Sequence, residues 1–261
     1  MSLRIVVTVK YVPDATGDRH FADDLTVDRD DVDGLLSELD EYAVEQALRI
    51  AESSDDAEVT VLTVGPEDAG EALRKALSMG ADKAIHIEGD DLHGTDAIGT
   101  SLVLAKAIEK AGYDLVISGM ASTDGVGGIV PALLAERLGV PQVTLVSEVS
   151  VDGSAVRGRR DGDTASEQLE ARLPAIVSVT DQSGEARYPS FKEIMAAKKR
   201  PVESWDLSDL DIESDEVGLE GAYTAVESAA ARTARTAGTI VKHEGEGGKQ
   251  LAAFLAERTF I

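Results

Sequence analysis

Apolar residues along the first half of the chain fall into two alternating patterns. Ile5–Val9 and Val59–Val64 are unbroken, largely β-branched runs of strand length, as expected of strands buried on both faces. Lys83–Ile87 and Leu115–Ser118 are shorter runs of the same kind. Between them the apolar positions recur at helical spacing. Val44, Ala47, Leu48 and Ala51 predict a helix over Asp40–Ala51, and Ala69, Leu73, Ala76 and Leu77 predict one over Glu67–Met79, closed by Gly80. Ile98, Leu102, Ala105 and Ile108 predict a third, capped by Thr95 and stopped at Gly112. Gly125–Leu138 reads as a fourth, with Pro131 in its first turns. Strands and helices in strict alternation imply right-handed crossovers and a parallel sheet, an α/β fold.

The pattern changes after Pro141. Val143–Val149, Ala155–Arg160, Gln168–Arg172 and Ala175–Thr180 are strand-like, with Asp152-Gly153 as a turn, and suggest an antiparallel extension of the sheet. Ser190–Lys199 predicts a short basic helix, and Glu203–Gly221 is acidic and weakly patterned, as in an arm. Lys249–Arg258, with Leu251, Phe254 and Leu255 on one stripe, predicts a terminal amphipathic helix. The organisation expected is therefore an α/β body over 1–186, a basic loop and helix over 187–202, and a C-terminal arm over 203–261. An arm of about 60 residues without its own core needs a surface to lie on, which a partner subunit supplies.

Composition narrows the class. Hydrophobic residues make up 43% of 261, enough for a packed core. Asp and Glu number 49 against 25 Lys and Arg, a net charge of −24. Such a surface repels phosphate backbones and anionic membranes, which argues against nucleic acid and against direct membrane insertion. The same excess of carboxylates suits a halophilic protein in a salt-loaded cytoplasm. No apolar run approaches the roughly 20 residues of a membrane span, and the first apolar run is too short for a signal peptide, so a cytoplasmic location is expected. With no cysteine, disulfides, thiolate catalysis and thiolate metal sites are excluded.

Ligands of open α/β sheets bind beyond the carboxyl ends of the strands. Those ends here are Thr8-Val9-Lys10, Val64-Gly65-Pro66 and Gly119–Gly128. The last is a strand feeding a loop of small and hydroxylated residues that enters a helix. Either it cradles a nucleotide phosphate with its amides and the helix dipole, or it is a glycine-rich turn. No G-x-G-x-x-G follows the first strand. Gly245–Gln250 lacks the first glycine of a P-loop, with His243 in its place, and the final Ser or Thr, with Gln250 in its place. Arg29–Asp40 has the spacing of a calcium loop, including Asp31, Asp33 and Gly34, but Arg29 stands at the first ligand position. The four histidines, His20, His86, His93 and His243, show no zinc spacing, so no metal site is expected. No catalytic constellation stands out. Arg187–Arg200 is a basic, partly apolar cluster in an acidic chain, either a patch on an internal acidic surface or a docking element.

Taken together, several stretches resemble the beta subunits of electron transfer flavoproteins. These are Val7-Thr8-Val9-Lys10, Asp40–Ala47, Ala76–Ala84, Gly119–Pro141, and Leu173-Pro174-Ala175-Ile176-Val177 followed by Arg187-Tyr188-Pro189-Ser190 and Ile194–Lys199. The resemblance runs from Ile5 to about Val202. It implies an adenine-nucleotide alpha hydrolase-like (Rossmann-like) body and an electron carrier rather than an enzyme in its own right. Such a subunit pairs with an alpha subunit, and a redox-active FAD lies where the two meet. Electrons come from acyl-CoA and related dehydrogenases and pass to a membrane quinone oxidoreductase; fatty acid oxidation is the implied context.

By the same resemblance this subunit holds AMP or, in electron-bifurcating members, a second FAD. The implied cofactor-binding residues are Thr8, Leu39, Asp40, Val64, Gly119, Ser122, Thr123, Asp124, Gly125, Gly127, Gly128 and Val130. The implied partner-binding residues are Arg187, Tyr188, Phe191 and Met195, with Phe191 where the family has a leucine anchor. The family's Asn-Pro-aromatic run before the first helix is here Ser37-Glu38-Leu39. Val12-Pro13-Asp14 and Gly94-Thr95-Asp96-x-x-x-Thr100-Ser101 lean towards the bifurcating branch. Asp90, where that branch has an arginine, favours AMP. A stand-alone adenine-nucleotide-binding stress-type protein is the alternative. An adenylating enzyme is disfavoured, because Lys10–Asp14 replaces its Ser-Gly-Gly loop.

Overall fold

The computed structural model describes residues 2–17, 19–29, 32–230, 233, 234, 238, 240 and 245–261. His243 and Asp31 fall outside the described residues. The chain divides into two compact units, Met1–Glu227 and Ser228–Ile261.

The first unit is built on seven parallel strands: β1 (Leu3–Thr8), β4 (Ala57–Val64), β5 (Lys83–Ile87), β6 (Leu115–Gly119), β7 (Gln142–Val146), β11 (Ala175–Val179) and β12 (Val202–Trp205). Their order is β12-β5-β4-β1-β6-β11-β7, and every pairing is parallel. Hydrophobic layers cover both faces. One lies under α1 (Glu38–Glu52) and α2 (Gly70–Met79), the other under α3 (Ala97–Ala111) and α4 (Val130–Leu138). A hairpin of β2 (Tyr11–Pro13) and β3 (Gly34–Leu36) stands between β1 and α1, and brackets the acidic loop.

The region after Pro141 differs from the expected antiparallel extension. The expected strand Val143–Val149 divides in two, making five strands; Ala175–Val179 and Gln142–Val146 join the parallel sheet, and only the three between them are antiparallel. These are β8 (Glu148–Asp152), β9 (Ala155–Asp161) and β10 (Ser166–Arg172), a separate sheet in the order β10-β9-β8. The physical reason lies in burial. β11 is buried at every position, as a central strand must be, whereas β8 and β10 alternate between exposed and half-buried residues. β9 packs against β7 closely enough that a Cβ on Gly158 would lie 2.7 Å from Val146 Cγ1 and 2.8 Å from Val143 Cγ1.

Several helix boundaries move. α4 begins at Val130 rather than Gly125, with Pro131 in its first turn, so residues 125–129 are loop. α3 is capped by Asp96, whose Oδ1 accepts the N–H groups of Ile98 and Gly99; Thr95 Oγ1 instead accepts the N–H of Gly218 at 2.8 Å. The helix expected over Ser190–Lys199 is α5, Phe191–Ala197.

The stretch expected to start an arm at Glu203 is part of the body. β12 extends the sheet beside β5, and Leu207, Leu210, Ile212 and Val217 are buried against α3 and its neighbours. An edge strand is covered on one side only, so its sequence shows little apolar pattern; here Lys110 stacks 4.3 Å over the Trp205 ring instead. A short turn of helix, α6 (Gly218–Gly221), follows. The second unit contains α7 (Gly247–Glu257), with no buried residue. Among the described residues no helix is long and apolar enough to cross a membrane.

Candidate functional site

The carboxyl ends of β1 and β6 lie side by side, and the first turn of α1 rests directly on them. That approach requires Gly119: a Cβ there would fall 2.4 Å from Asp40 Oδ1 and 2.7 Å from the Leu39 carbonyl oxygen. Thr8 Oγ1 and Ser118 Oγ share a buried hydrogen bond of 2.7 Å between the two strands. The N–H of Lys10 donates to Asp40 Oδ2 at 2.8 Å. Burial pushes the Asp40 carboxyl up to about 7; the N–H groups of Lys10 and Gly119 and the Lys10 charge oppose the shift, and the Asp124 charge adds to it. Ser37 Oγ, at the start of α1, is fully buried and has no hydrogen-bond partner among the described residues.

Beyond β6 the loop 120–129 runs out into solvent. Its second half, Gly125–Ile129, is exposed, and Val126 holds the left-handed conformation at φ 51°. The loop is anchored at Asp124, whose side chain is 3% exposed. Lys10 Nζ lies 2.9 Å and Arg29 Nη2 2.7 Å from Asp124 Oδ2. Burial works against the Asp124 charge, but Lys10, Ser122 and Arg29 together hold its carboxyl well below the ordinary carboxylate range. Arg19 Nη1 donates to the Thr123 carbonyl at 2.8 Å. Three cations thus gather beside this loop in a chain of net charge −24.

The structure therefore brings Thr8, Leu39, Asp40, Gly119, Ser122, Thr123, Asp124, Gly125, Gly127 and Gly128 to one edge. Val64 ends the neighbouring β4 and Val130 opens α4. Arginines 19 and 29 were not among the expected site residues. Their signal is their place: they are the two arginines of the acidic loop between Pro13 and Gly34. This edge is open to solvent along Gly125–Ile129, and the hollows of about 300 and 320 Å³ on the first unit lie elsewhere. Its donors suit an anionic ligand. The ammonium, the guanidinium groups and the exposed glycine-rich backbone offer N–H groups.

The second expected cluster lies elsewhere, on a strap that crosses α1 and α2 on its way from β11 to β12. Tyr188 is 91% and Phe191 79% exposed, and Ile194 and Met195 lie half open beside them. Arg187 does not share that exposure; its guanidinium turns inward to Glu45 and Glu52 on α1.

The electron transfer flavoprotein domain family matches residues 24–210. An electron transfer flavoprotein subunit beta of Mycobacterium tuberculosis is 49% identical over 98% of this chain and 99% of its own length. One from Clostridium acetobutylicum is 32% identical over 99% of this chain and 100% of its own length, and one from Bacillus subtilis 35% identical over 72% and 73%. With its parallel sheet, its groove at the strand edge and full-length likeness to these subunits, the chain belongs to the electron transfer flavoprotein family, on the beta-subunit side.

Proposed function

We propose that this chain is the beta subunit of a heterodimeric electron transfer flavoprotein that carries electrons from acyl-CoA and related dehydrogenases to a membrane quinone oxidoreductase. An FAD held with the alpha subunit supplies the redox chemistry when bound. This chain contributes position and electrostatics. It also holds an adenine nucleotide, AMP by preference, in the groove between β1 and β6.

The observation that carries this reading is the Gly119–Val130 segment, which leaves a buried strand, is bordered by Lys10, Arg19 and Arg29, and ends on a helix N-terminus. Lys10, Arg19 and the amides of 125–129 meet phosphate oxygens, while the first turn of α1 flanks the nucleoside. The side chains of Tyr188, Phe191 and Met195 enter a pocket on the dehydrogenase, with Lys192, Lys198 and Lys199 around them favouring an acidic rim. The apolar stripe of α7 packs on the alpha subunit.

The test is to purify the heterodimer, denature it and identify the released nucleotides by mass spectrometry. One adenine nucleotide beyond the shared FAD is expected, and it is lost when Gly127 or Gly128 is replaced by a bulky residue. Retention by those variants counts against the placement, and a second FAD in place of AMP selects the bifurcating type. The isolated chain is expected to lack tightly held yellow FAD.

A further inference from the structure

β11 lies near one edge of the central sheet and β12 forms the other edge, so the chain between them must traverse the α1 and α2 face. Two arginines fasten this traverse. At its far end Arg200 Nη1 donates to the carbonyls of Leu77 and Ala81, 2.6 and 2.5 Å away, where α2 ends. At its near end Arg187 Nε lies 2.7 Å from Glu45 Oε2 and Nη1 lies 2.5 Å from Glu52 Oε1. Nη2 reaches both carboxylates, at 3.3 and 3.2 Å, and the Arg187 N–H adds a bond to Glu45 Oε2 at 3.2 Å. Glu45 is 3% exposed and is held from its other side by Arg49 Nε at 2.6 Å. Short of Arg187, Gln46 donates to the Ser183 carbonyl at 2.8 Å.

Between these two fastenings the strap makes no core of its own. α5 opens with a reciprocal Ser190–Glu193 capping box and buries none of its residues. The capping box orders its first turn and Ala197 packs against the core, while Tyr188 and Phe191 stand in solvent. The Arg187 guanidinium faces α1, with Nε, Nη1 and Nη2 all donating to Glu45 or Glu52.

We infer that Arg187 is a positioning residue for docking: it clamps the strap to α1 through Glu45 and Glu52, so that Phe191 is presented in a fixed place, and it does not itself touch the dehydrogenase. This rests on the reading of Phe191 as the docking anchor. A strap ordered before encounter avoids the entropic cost of ordering it on binding, so the clamp acts on affinity and not on the electron-transfer step.

The test uses the intact heterodimer and an acyl-CoA dehydrogenase as electron donor, with Arg187→Ala, Arg187→Lys, Glu45→Gln, the Arg187→Ala/Glu45→Gln double variant and Phe191→Ala. Two quantities are read: hydrogen exchange of the 187–197 amides in the heterodimer alone, and KM and kcat for flavin reduction. Arg187→Ala and Glu45→Gln are each expected to speed exchange in the strap and to raise KM about tenfold, with kcat within about twofold. Arg187→Lys, which keeps the charge but not the fork, falls between. Because both residues act through one clamp, the double variant should raise KM no further than Arg187→Ala alone.

A KM that rises for Arg187→Ala but not for Glu45→Gln, with strap exchange unchanged in both, would make Arg187 a direct contact and overturn the inference. Faster exchange with unchanged KM in both variants would reduce the clamp to a structural feature and overturn it too. An unchanged KM for Phe191→Ala would remove the docking reading on which the inference stands, whereas the exchange data report on the clamp separately.

Discussion

Asp40 and Glu45 sit five residues apart on α1, 6% and 3% exposed, yet their carboxyl groups move in opposite directions. Asp40 is pushed up by burial, because what faces it is two backbone N–H groups and a lysine already engaged by Asp124. Burial pushes Glu45 up as well, but Arg187 and Arg49 outweigh it and the net shift is down. One end of the helix leaves a buried carboxyl short of positive charge; further along, a second carboxyl is fully answered by two guanidinium groups. A buried acid short of positive charge destabilises the chain when ionised, whereas a buried acid gripped by arginines is a structural fastening. The contrast separates the groove, where chemistry is left open, from the strap, where it is closed.

The largest expected effect breaks the groove. Gly119→Val places side-chain atoms where Asp40 Oδ1 and the Leu39 carbonyl lie, so α1 must move off β6. Overpacking of this kind costs about 3 kcal/mol, a fall in Tm of about 6–12 °C for a domain this size, and it should empty the groove of nucleotide. Calorimetry and nucleotide analysis of the same sample check both. A variant of unchanged Tm would mean that the close approach at Gly119 is not what seats α1.

The next effect sharpens the contrast through pH. A carboxyl whose folded value lies above its ordinary 3.8 binds more protons folded than unfolded. Asp40 should therefore make the parent lose stability as pH rises from about 4 to 7. Asp40→Asn should remove that slope. Glu45 behaves oppositely: its contribution is present above its ordinary 4.5 and is lost as pH falls through its depressed folded value. Glu45→Gln should thus weaken the protein at neutral pH and abolish that acid-side loss. Urea denaturation from pH 3 to 8 reads both; changes of slope from the parent of the same sign in the two variants would end the distinction.

The third effect leaves stability alone. Phe191→Ala should fold and hold nucleotide normally, because the ring is solvent-exposed. Truncating an aromatic anchor costs about 2 kcal/mol of docking, roughly a 30-fold higher KM for the dehydrogenase at unchanged kcat. A fall in Tm with KM unaffected would make the ring part of the fold rather than of the docking surface.

How far the sequence spoke follows the same division. The groove was legible because its parts are local. Unbroken apolar runs mark the strands, and glycines at 119, 125, 127 and 128 mark a backbone that comes close to something. The cations carry no local signal because Arg19 and Arg29 sit in an acidic loop whose contacts with Thr123 and Asp124 span 104 and 95 residues. Arg187 enters the docking residues through the family resemblance. The carboxylates it pairs with within the chain are 142 and 135 positions away, and no periodicity reports a pairing of that range. β12 was misread for a related reason: four residues at a sheet edge carry too little pattern to be seen.

The smallest effect asks whether the two regions respond alike to salt. At a net charge of −24 the unscreened carboxylates repel one another, and raising KCl from 0.1 to 2 M contracts the Debye length from about 10 Å to below about 3 Å. Tm should rise by a few degrees over that range, as a halophilic protein requires; a constant or falling Tm would exclude the halophilic reading. Most ion pairs of the antiparallel sheet, such as Arg157–Glu170 with side chains 51% and 57% exposed, are screened as salt rises and contribute little either way. The Glu45–Arg187 pair is different, since its carboxylate is 4% exposed and salt reaches it poorly. Glu45→Gln should therefore lower Tm by nearly the same amount at both salt concentrations. A decrement that vanished at 2 M KCl would show the clamp to be a surface pair, and would bring the strap and the exposed sheet under one description.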